Sequence, residues 1–325
     1  MFDASVIIPT YNRKDSLLKT LEALDRQSPS TPTFEVLVVD DGSIDNTKGL
    51  FDQAFHFSAC YIHQENQGSA VARNTGASKA SGKLLIFLDD DMIVEPDYVS
   101  GLFDEHGEHP RIVGMGKELP YLPPNPTPYA KLQAERIGKQ QVNPAGEFVD
   151  FTECVTNNLS VEATDFVEIG RMQDVAGDGP TWWGDVDFGY RAMKQGFRFR
   201  RSGSAACRHC DYSIGSLEVN SKRLFTASKM AIALFHKFPE IQSHLPMFYD
   251  KLPVDWQQDS AQMVLRKLVR PVTSAAPSLW AVEQVTSIVE KSSPSSPLLP
   301  HLYRWISGGY IYQGFHAGLR EYGPL

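Results

Sequence analysis

The chain has 325 residues, enough for one large domain with an extension. Hydrophobic residues make up 42% and charged residues 22%, an ordinary globular mix, and a net charge of −8 argues against nucleic acid as a partner. The apolar run Leu84–Leu88 is only five residues long, whereas a bilayer span needs about 20, so no membrane-crossing helix is expected.

The first hundred residues alternate strand and helix. Ser5–Ile8 reads as a short strand stopped by Pro9, and residues 14–27 as a helix with Leu17, Leu18, Leu21 and Leu24 on one face. Phe34–Val39 is a second strand. Asp41-Gly42-Ser43 turns the chain, and Ser43 is expected to cap a helix running to about Phe55. Ala59–His63 is a third strand, Gly68–Ser81 a helix ended by Gly82, and Leu84–Leu88 a strand apolar enough to be buried on both faces. This rhythm predicts βαβ units and a mostly parallel, Rossmann-like sheet with helices on both faces. The middle is less regular: five prolines make residues 120–128 a loop, and Thr156–Val161 and Phe197–Arg201 read as strands. From about Leu217 the chain reads as a helical extension, with Pro/Ser breaks at 271–278 and 292–300. The expected organisation is 1–110, 111–215 and 216–325, the first two being parts of one domain.

Ligands of parallel α/β sheets bind beyond the carboxyl ends of the strands. Three polar clusters sit there: Pro9-Thr10-Tyr11-Asn12, Asp40-Asp41-Gly42-Ser43 and Asp89-Asp90-Asp91. Two like charges at ~4 Å and an effective dielectric of ~20 repel by about 4 kcal/mol, and a cation reverses that sign. Mg²⁺ or Mn²⁺ takes oxygen ligands from one or two carboxylates, phosphates and water, so the three aspartates are a candidate metal and nucleotide site. In an extended strand Asp89 and Asp91 would point to one side and Asp90 to the other.

These segments resemble the inverting family 2 glycosyltransferases of GT-A fold. SVIIPTYNR (Ser5–Arg13) resembles the opening strand and nucleotide loop of that family, and VVDDGSIDNT (Val38–Thr47) its base-binding turn. NQGSAVARNTGASKASGKLLIFLDDDM (Asn66–Met92) resembles its helix, strand and acidic metal motif, and WWGDVDFGYRAMKQGFRF (Trp182–Phe199) the segment carrying the catalytic base. The resemblance implies that Pro9, Thr10, Tyr11 and Arg13 line the nucleotide. Asp40 or Asp41 binds the base, with the family pattern favouring Asp40. Arg73 approaches the phosphates, Asp89 and Asp90 belong to the nucleotide site with Asp90 on the ribose, and Asp91 ligates Mn²⁺ or Mg²⁺. His209 is a second metal ligand or diphosphate contact. Asp185 is the general base, and Asn158, Trp182, Trp183 and Asp187 lie near the donor or acceptor sugar. One departure is Gly184, where the family usually has Glu; it leaves the choice between Asp185 and Asp187 open.

The implied activity is transfer of a sugar from a nucleoside-diphosphate sugar, a UDP-sugar by preference, to a hydroxyl of a carbohydrate, lipid-linked or small-molecule acceptor. A sugar-phosphate nucleotidyltransferase is the first alternative, although the loop after the first strand has none of the glycines that a triphosphate cradle uses. A nucleotide-sugar-binding module without turnover is the second, raised by Gly184. The four cysteines, Cys60, Cys154, Cys207 and Cys210, are too scattered for a disulfide framework, and the N-terminal segment lacks the marks of a signal peptide. A cytoplasmic location is therefore expected, with a membrane-peripheral one as the alternative. In the extension, Trp256–Arg270 reads as a helix with Met263, Val264 and Leu268 on its apolar side and Arg266, Lys267 and Arg270 nearby. Packing on the catalytic domain, a peripheral membrane contact and a homodimer surface are the roles the extension offers.

Overall fold

The computed structural model describes residues 2–139, 143–175, 182–210 and 215–325. The chain forms two compact units, one of residues 1–121 and 137–210, the other of residues 122–136 and 211–325.

In the first unit, β1 (Ala4–Thr10), β2 (Phe34–Asp40), β3 (Ser58–His63) and β4 (Leu84–Leu88) run parallel in the order β3-β2-β1-β4. Four further strands extend the sheet and a fifth flanks it: β5 (Met92–Val94), β6 (Ile112–Glu118), β7 (Glu147–Val149), β8 (Asn158–Glu162) and β9 (Arg198–His209). Here the directions mix. β8 is antiparallel to β4 and β6, β6 is parallel to β9, and β9 takes β5 and β7 antiparallel. The helices of this unit are α1 (Lys14–Leu24), α2 (Ser69–Lys79), α3 (Tyr98–Glu108), α5 (Ala163–Ile169) and α6 (Gly184–Lys194), whereas α4 (Pro128–Gly138) falls almost wholly in the second. All of β1 and β4 is buried, which is why both read as unbroken apolar runs.

Alternation along β1 decides which helix each side chain meets. Ala4, Val6 and Ile8 join Leu17, Leu21 and Leu24 of α1 and Tyr98, Val99 and Leu102 of α3 in one cluster. On the opposite face α2 crosses Ile7 and Val39 so closely that a Cβ at Gly76 would collide with both. Phe87, Phe166 and Phe188 continue that face, with ring centroids 5.0 and 5.8 Å apart. Helices therefore cover both sides of the sheet, as the sequence predicts.

Three local expectations are corrected. The helix expected from Ser43 to Phe55 is a short 3-10 turn, Thr47–Asp52. Ser43 caps nothing, because its hydroxyl accepts the Asn12 N–H, while Asp45 takes the Lys14 N–H and the Thr47 hydroxyl. Gly82 is not a helix C-cap: α2 ends at an extended Ala80, and Gly82 is required because its Cα packs on the backbone of Ala4 and Ser5. The chain also leaves the extended conformation at Asp89, so the three aspartates do not alternate.

The second unit is helical: α7 (Leu217–Lys237), α8 (Ala261–Thr273), α9 (Ala276–Ser292) and α10 (Leu299–Tyr322). Gly314 of α10 lies directly on the Phe225 carbonyl of α7, and the rings of Phe235, Phe248 and Phe315 pack at 5.4 and 5.5 Å. Helix α8 begins at Ala261, not Trp256, because the Ser260 hydroxyl accepts the Met263 N–H and caps it there. None of its residues is buried, and Leu265, Leu268, Val269 and Val272 are exposed. Among the described residues no helix is long and apolar enough to cross a membrane.

Candidate active site

The three polar clusters do converge, at the carboxyl edge of β1, β2 and β4. Thr10, the last residue of β1, donates its hydroxyl to Asp90 Oδ2 at 2.8 Å, and Thr20 of α1 donates to the Asp90 carbonyl at 3.0 Å. Arg13, just before α1, spans two carboxylates: Nη1 is 2.9 Å from Asp90 Oδ1 and Nη2 is 2.7 Å from Asp91 Oδ2. Asp89 faces elsewhere, 2.6 Å from Nη2 of the buried Arg73 on α2. The division is thus Asp90 with Asp91 on one guanidinium and Asp89 on another, which corrects the alternating arrangement expected of a strand.

Burial is the main influence on these acids. Asp90 is pushed up to about 7, chiefly by burial and further by Asp91 and Asp89, with Arg13 and Thr10 opposing. Burial also pulls Asp91 upward, but contacts from His209 and Arg13 outweigh it and hold this carboxyl below the ordinary range. His209, at the end of β9, brings Nε2 to 3.3 Å from Asp91 Oδ1, a buried oxygen with no hydrogen-bond partner. A buried carboxylate oxygen beside an imidazole is a donor set suited to Mn²⁺ or Mg²⁺, with phosphate and water supplying the remaining positions. Among the described residues no group of three His, Cys, Asp or Glu is arranged for a metal. Asp91 and His209 can therefore hold a cation only together with oxygens brought by a ligand.

The β2 edge is a buried frame. Asp40 accepts the Ser43 N–H at 2.7 Å and the Tyr61 hydroxyl at 2.6 Å. Asp41 accepts from the Gln64 amide and from the N–H groups of Gln67 and Gly68, at 2.7 to 2.9 Å, and so shapes the loop into α2 that carries Arg73. Pro9 is buried, whereas Tyr11 and Arg13 stand open to solvent at the mouth of the edge.

Trp182 and Trp183 are half-buried at the entry to α6, with Trp183 at φ 68° as the residue before the helix. Asp185 lies in the first turn and accepts the Val186 N–H at 2.8 Å. Its pKa is raised, first by burial and then by the charge of Asp89, while the Val186 N–H and the Arg73 charge oppose. Asp185 is thus brought into the field of the acidic turn. Asp187 and Asn158 have structural partners of their own. Asp187 is wholly buried and held 2.8 Å from Arg191 Nε, whose other nitrogens donate to the Ile169 and Arg171 carbonyls. Asn158 is buried with its amide filled: it accepts from the Tyr98 hydroxyl at 2.5 Å and the Gly116 N–H at 3.1 Å, and donates to the Gly116 carbonyl. Both side chains are tied to neighbouring elements by these bonds. They fix the sheet and α6 around the site.

Three residues escaped the sequence reading. Tyr61 positions Asp40, Thr20 holds the Asp90 backbone, and Glu118 at the end of β6 has a pKa raised by burial and countered first by the charge of His209. Nothing local marks them, since strand register brings Tyr61 and Glu118 to this edge and the packing of α1 brings Thr20.

Residues 5–155 match the family described as Glycosyl transferase family 2. Validoxylamine A glucosyltransferase of Streptomyces hygroscopicus subsp. jinggangensis (strain 5008) is 34% identical over 222 residues, covering 59% of this chain and 51% of the relative. Glycosyltransferase AglE of Haloferax volcanii is 39% identical over 121 residues, covering 36% of this chain and 40% of the relative. The chain thus spans about half the length of the curated relatives it matches or less. Among solved structures, the mannosyltransferase PcManGT from Pyrobaculum calidifontis, in complex with GDP-Man and Mn²⁺, superposes with a TM-score of 0.59 at 14% identity, covering 96% of this chain and 87% of that one. S. aureus TarS 1–349 gives 0.52 at 15% identity, covering 97% and 92%. At such identities the likeness carries the fold alone.

Proposed function

We propose that this chain, whose residues 5–155 match glycosyl transferase family 2, is an inverting, divalent-cation-dependent glycosyltransferase of GT-A fold. Its donor is a nucleoside-diphosphate sugar, with UDP as the favoured nucleotide, and its acceptor is a hydroxyl. The observation that carries this reading is the pairing of a buried acid of raised pKa, Asp185, with the Arg73–Asp89 edge of the acidic turn. Burial raises the proton affinity of this carboxyl, which in its ionised form is suited to receive the proton of an attacking hydroxyl.

The residues divide the work. Asp185 takes the acceptor proton. Arg73 and Arg13 place positive charge where the diphosphate leaves. Thr10, Tyr11, Asp40 and Asp41 form the edge for base and ribose, and Asp90 binds ribose. Asp91 and His209 would hold the cation, which when bound stabilises the negative charge developing on the departing diphosphate. Attack from the side opposite the leaving group inverts the anomeric centre. PcManGT and TarS, which share the fold, were solved with GDP-Man and Mn²⁺ and with UDP respectively, and these ligands support the donor class.

The test is a thermal-shift screen of UDP-, GDP- and dTDP-sugars with Mn²⁺, followed by NMR of the product formed with the stabilising donor. The expected product has the anomeric configuration opposite to that of the donor. A retained configuration, or pyrophosphate release from a sugar phosphate and a nucleoside triphosphate, would overturn the proposal.

A further inference from the structure

The helical unit contains a cavity of about 900 Å³ bounded by α4, α7, the Pro246–Lys251 turn, α8 and α10. That is the size of a site for a whole small-molecule ligand. Its charged lining is lopsided: Arg136, Lys251, Arg266, Arg270 and Arg304 face a single carboxylate, Asp250. Asp250 cannot neutralise them. One of its oxygens accepts from Lys251, and the other lies 3.7 Å from Nε of both Arg266 and Arg270, too far for a hydrogen bond. The Arg270 side chain is 17% exposed, and its Nε is buried without a hydrogen-bond partner. The guanidinium packs against Gly308, where any Cβ would strike it. A second cavity of about 500 Å³ also opens on Arg266, Arg270 and Arg304, so the three arginines separate two solvent-accessible spaces.

Helix α8 is turned the wrong way for an ordinary surface helix. Arg266, Arg270 and Met263 line the cavity, while Leu265, Leu268, Val269 and Val272 are exposed. Surface helices normally put cations in water and leucines inside. Taking the Arg270 guanidinium out of water is unfavourable unless an anion meets it, and the more exposed Arg266 and Arg304 add to the positive charge around it. Burial, followed by the repulsion of Arg266, draws the Arg270 pKa down despite Asp250, the mark of a cation short of counter-charge.

We propose that this cavity binds a ligand carrying a phosphate or diphosphate group. Arg266, Arg270 and Arg304 take the anion, and the apolar wall of Leu132, Leu224, Met247 and Ile311 takes the group attached to it. Planar guanidinium forks match the several acceptor oxygens of a tetrahedral oxyanion, and a charge of two or more is needed to balance the excess of cations. A carboxylate supplies only one charge. The site lies wholly within the helical unit and uses none of the residues of the acidic turn.

Two probes are applied to the intact protein in EDTA: inorganic pyrophosphate by titration calorimetry, and sedimentation with phosphatidylcholine vesicles with or without phosphatidic acid. The wild type binds pyrophosphate if the phosphate is carried on a soluble ligand, and binds only the phosphatidic acid vesicles if it is a lipid headgroup. In either case R266Q/R304Q weakens binding about tenfold or more, while K291Q, which removes one exposed charge away from the cavity, leaves it unchanged. R266Q alone, at a side chain 64% exposed, gives the same direction without risk to the fold. The proposal is overturned if the wild type binds neither probe, or if the arginine variants bind as K291Q does.

Discussion

Arg13 holds Asp90 and Asp91 on one guanidinium, so it does internally part of what a cation would do. Because its side chain is 45% exposed, the two ion pairs are screened and contribute only about 1 kcal/mol. Arg13→Ala is expected to lower stability by about that amount in EDTA, and to be stabilised more by Mn²⁺ than the wild type is, since the two carboxylates then lack the guanidinium they share. Urea unfolding with and without Mn²⁺ checks this, and equal stabilisation of both proteins would show that the cation does not bind at these carboxylates. The two acids of α6 separate differently. Asp185→Asn removes the proposed base and should reduce kcat by about 10²-fold or more with donor affinity unchanged. Asp187→Asn breaks a buried pair with Arg191 and should cost about 3 kcal/mol of stability, read as a lower urea midpoint. If Asp185→Asn were fully active, the assignment of the base would fail.

At the scale of elements, what was legible in the sequence was what depends on burial alone. β1, β2 and β4 announce themselves because almost every residue in them is buried, and α1 because Leu17, Leu21 and Leu24 share one face. What needed long-range partners was not legible. Ser43 looks like a helix cap until Asn12, 31 residues earlier, takes its hydroxyl. Asn158 looks like a sugar contact until β6 and Tyr98 fill its amide. The three aspartates were found by type and place, but their partners Arg13 and Arg73 come from other loops and set their directions. A similar distant contact carries a pH prediction. His106 of α3 lies 2.9 Å from the Ser160 hydroxyl of β8, and burial lowers its pKa from 6.5 to about 4. Between these values the unfolded chain binds a proton that the folded one refuses. The contribution is complete above pH 6.5 and is lost as the pH falls toward 4. It amounts to about 3 kcal/mol. His106→Gln should flatten this part of the pH–stability curve, measured by urea midpoints across the window; an unchanged slope would assign it to other groups.

For the whole molecule, the net charge of −8 is unevenly spread, with residues 216–325 carrying 11 Lys/Arg against 8 Asp/Glu. The acidic excess therefore lies in the earlier part of the chain, which holds the acidic turn. Any salt will screen such an excess, so stabilisation by a divalent cation proves a site only against a matched control. Donor and Mn²⁺ together, at about a hundred times their dissociation constant, should add about 2.7 kcal/mol by mass action, a rise in melting temperature of about 4 °C for a chain of 325 residues. KCl at equal ionic strength should reproduce little of it, and EDTA should remove it. Asp91→Ala should abolish the donor-linked part while keeping whatever general screening contributes, because the excess charge is nearly unchanged but the oxygen facing His209 is gone. A full donor-linked shift in that variant would move the cation to another set of ligands and leave Asp91 as a structural partner of Arg13 and His209.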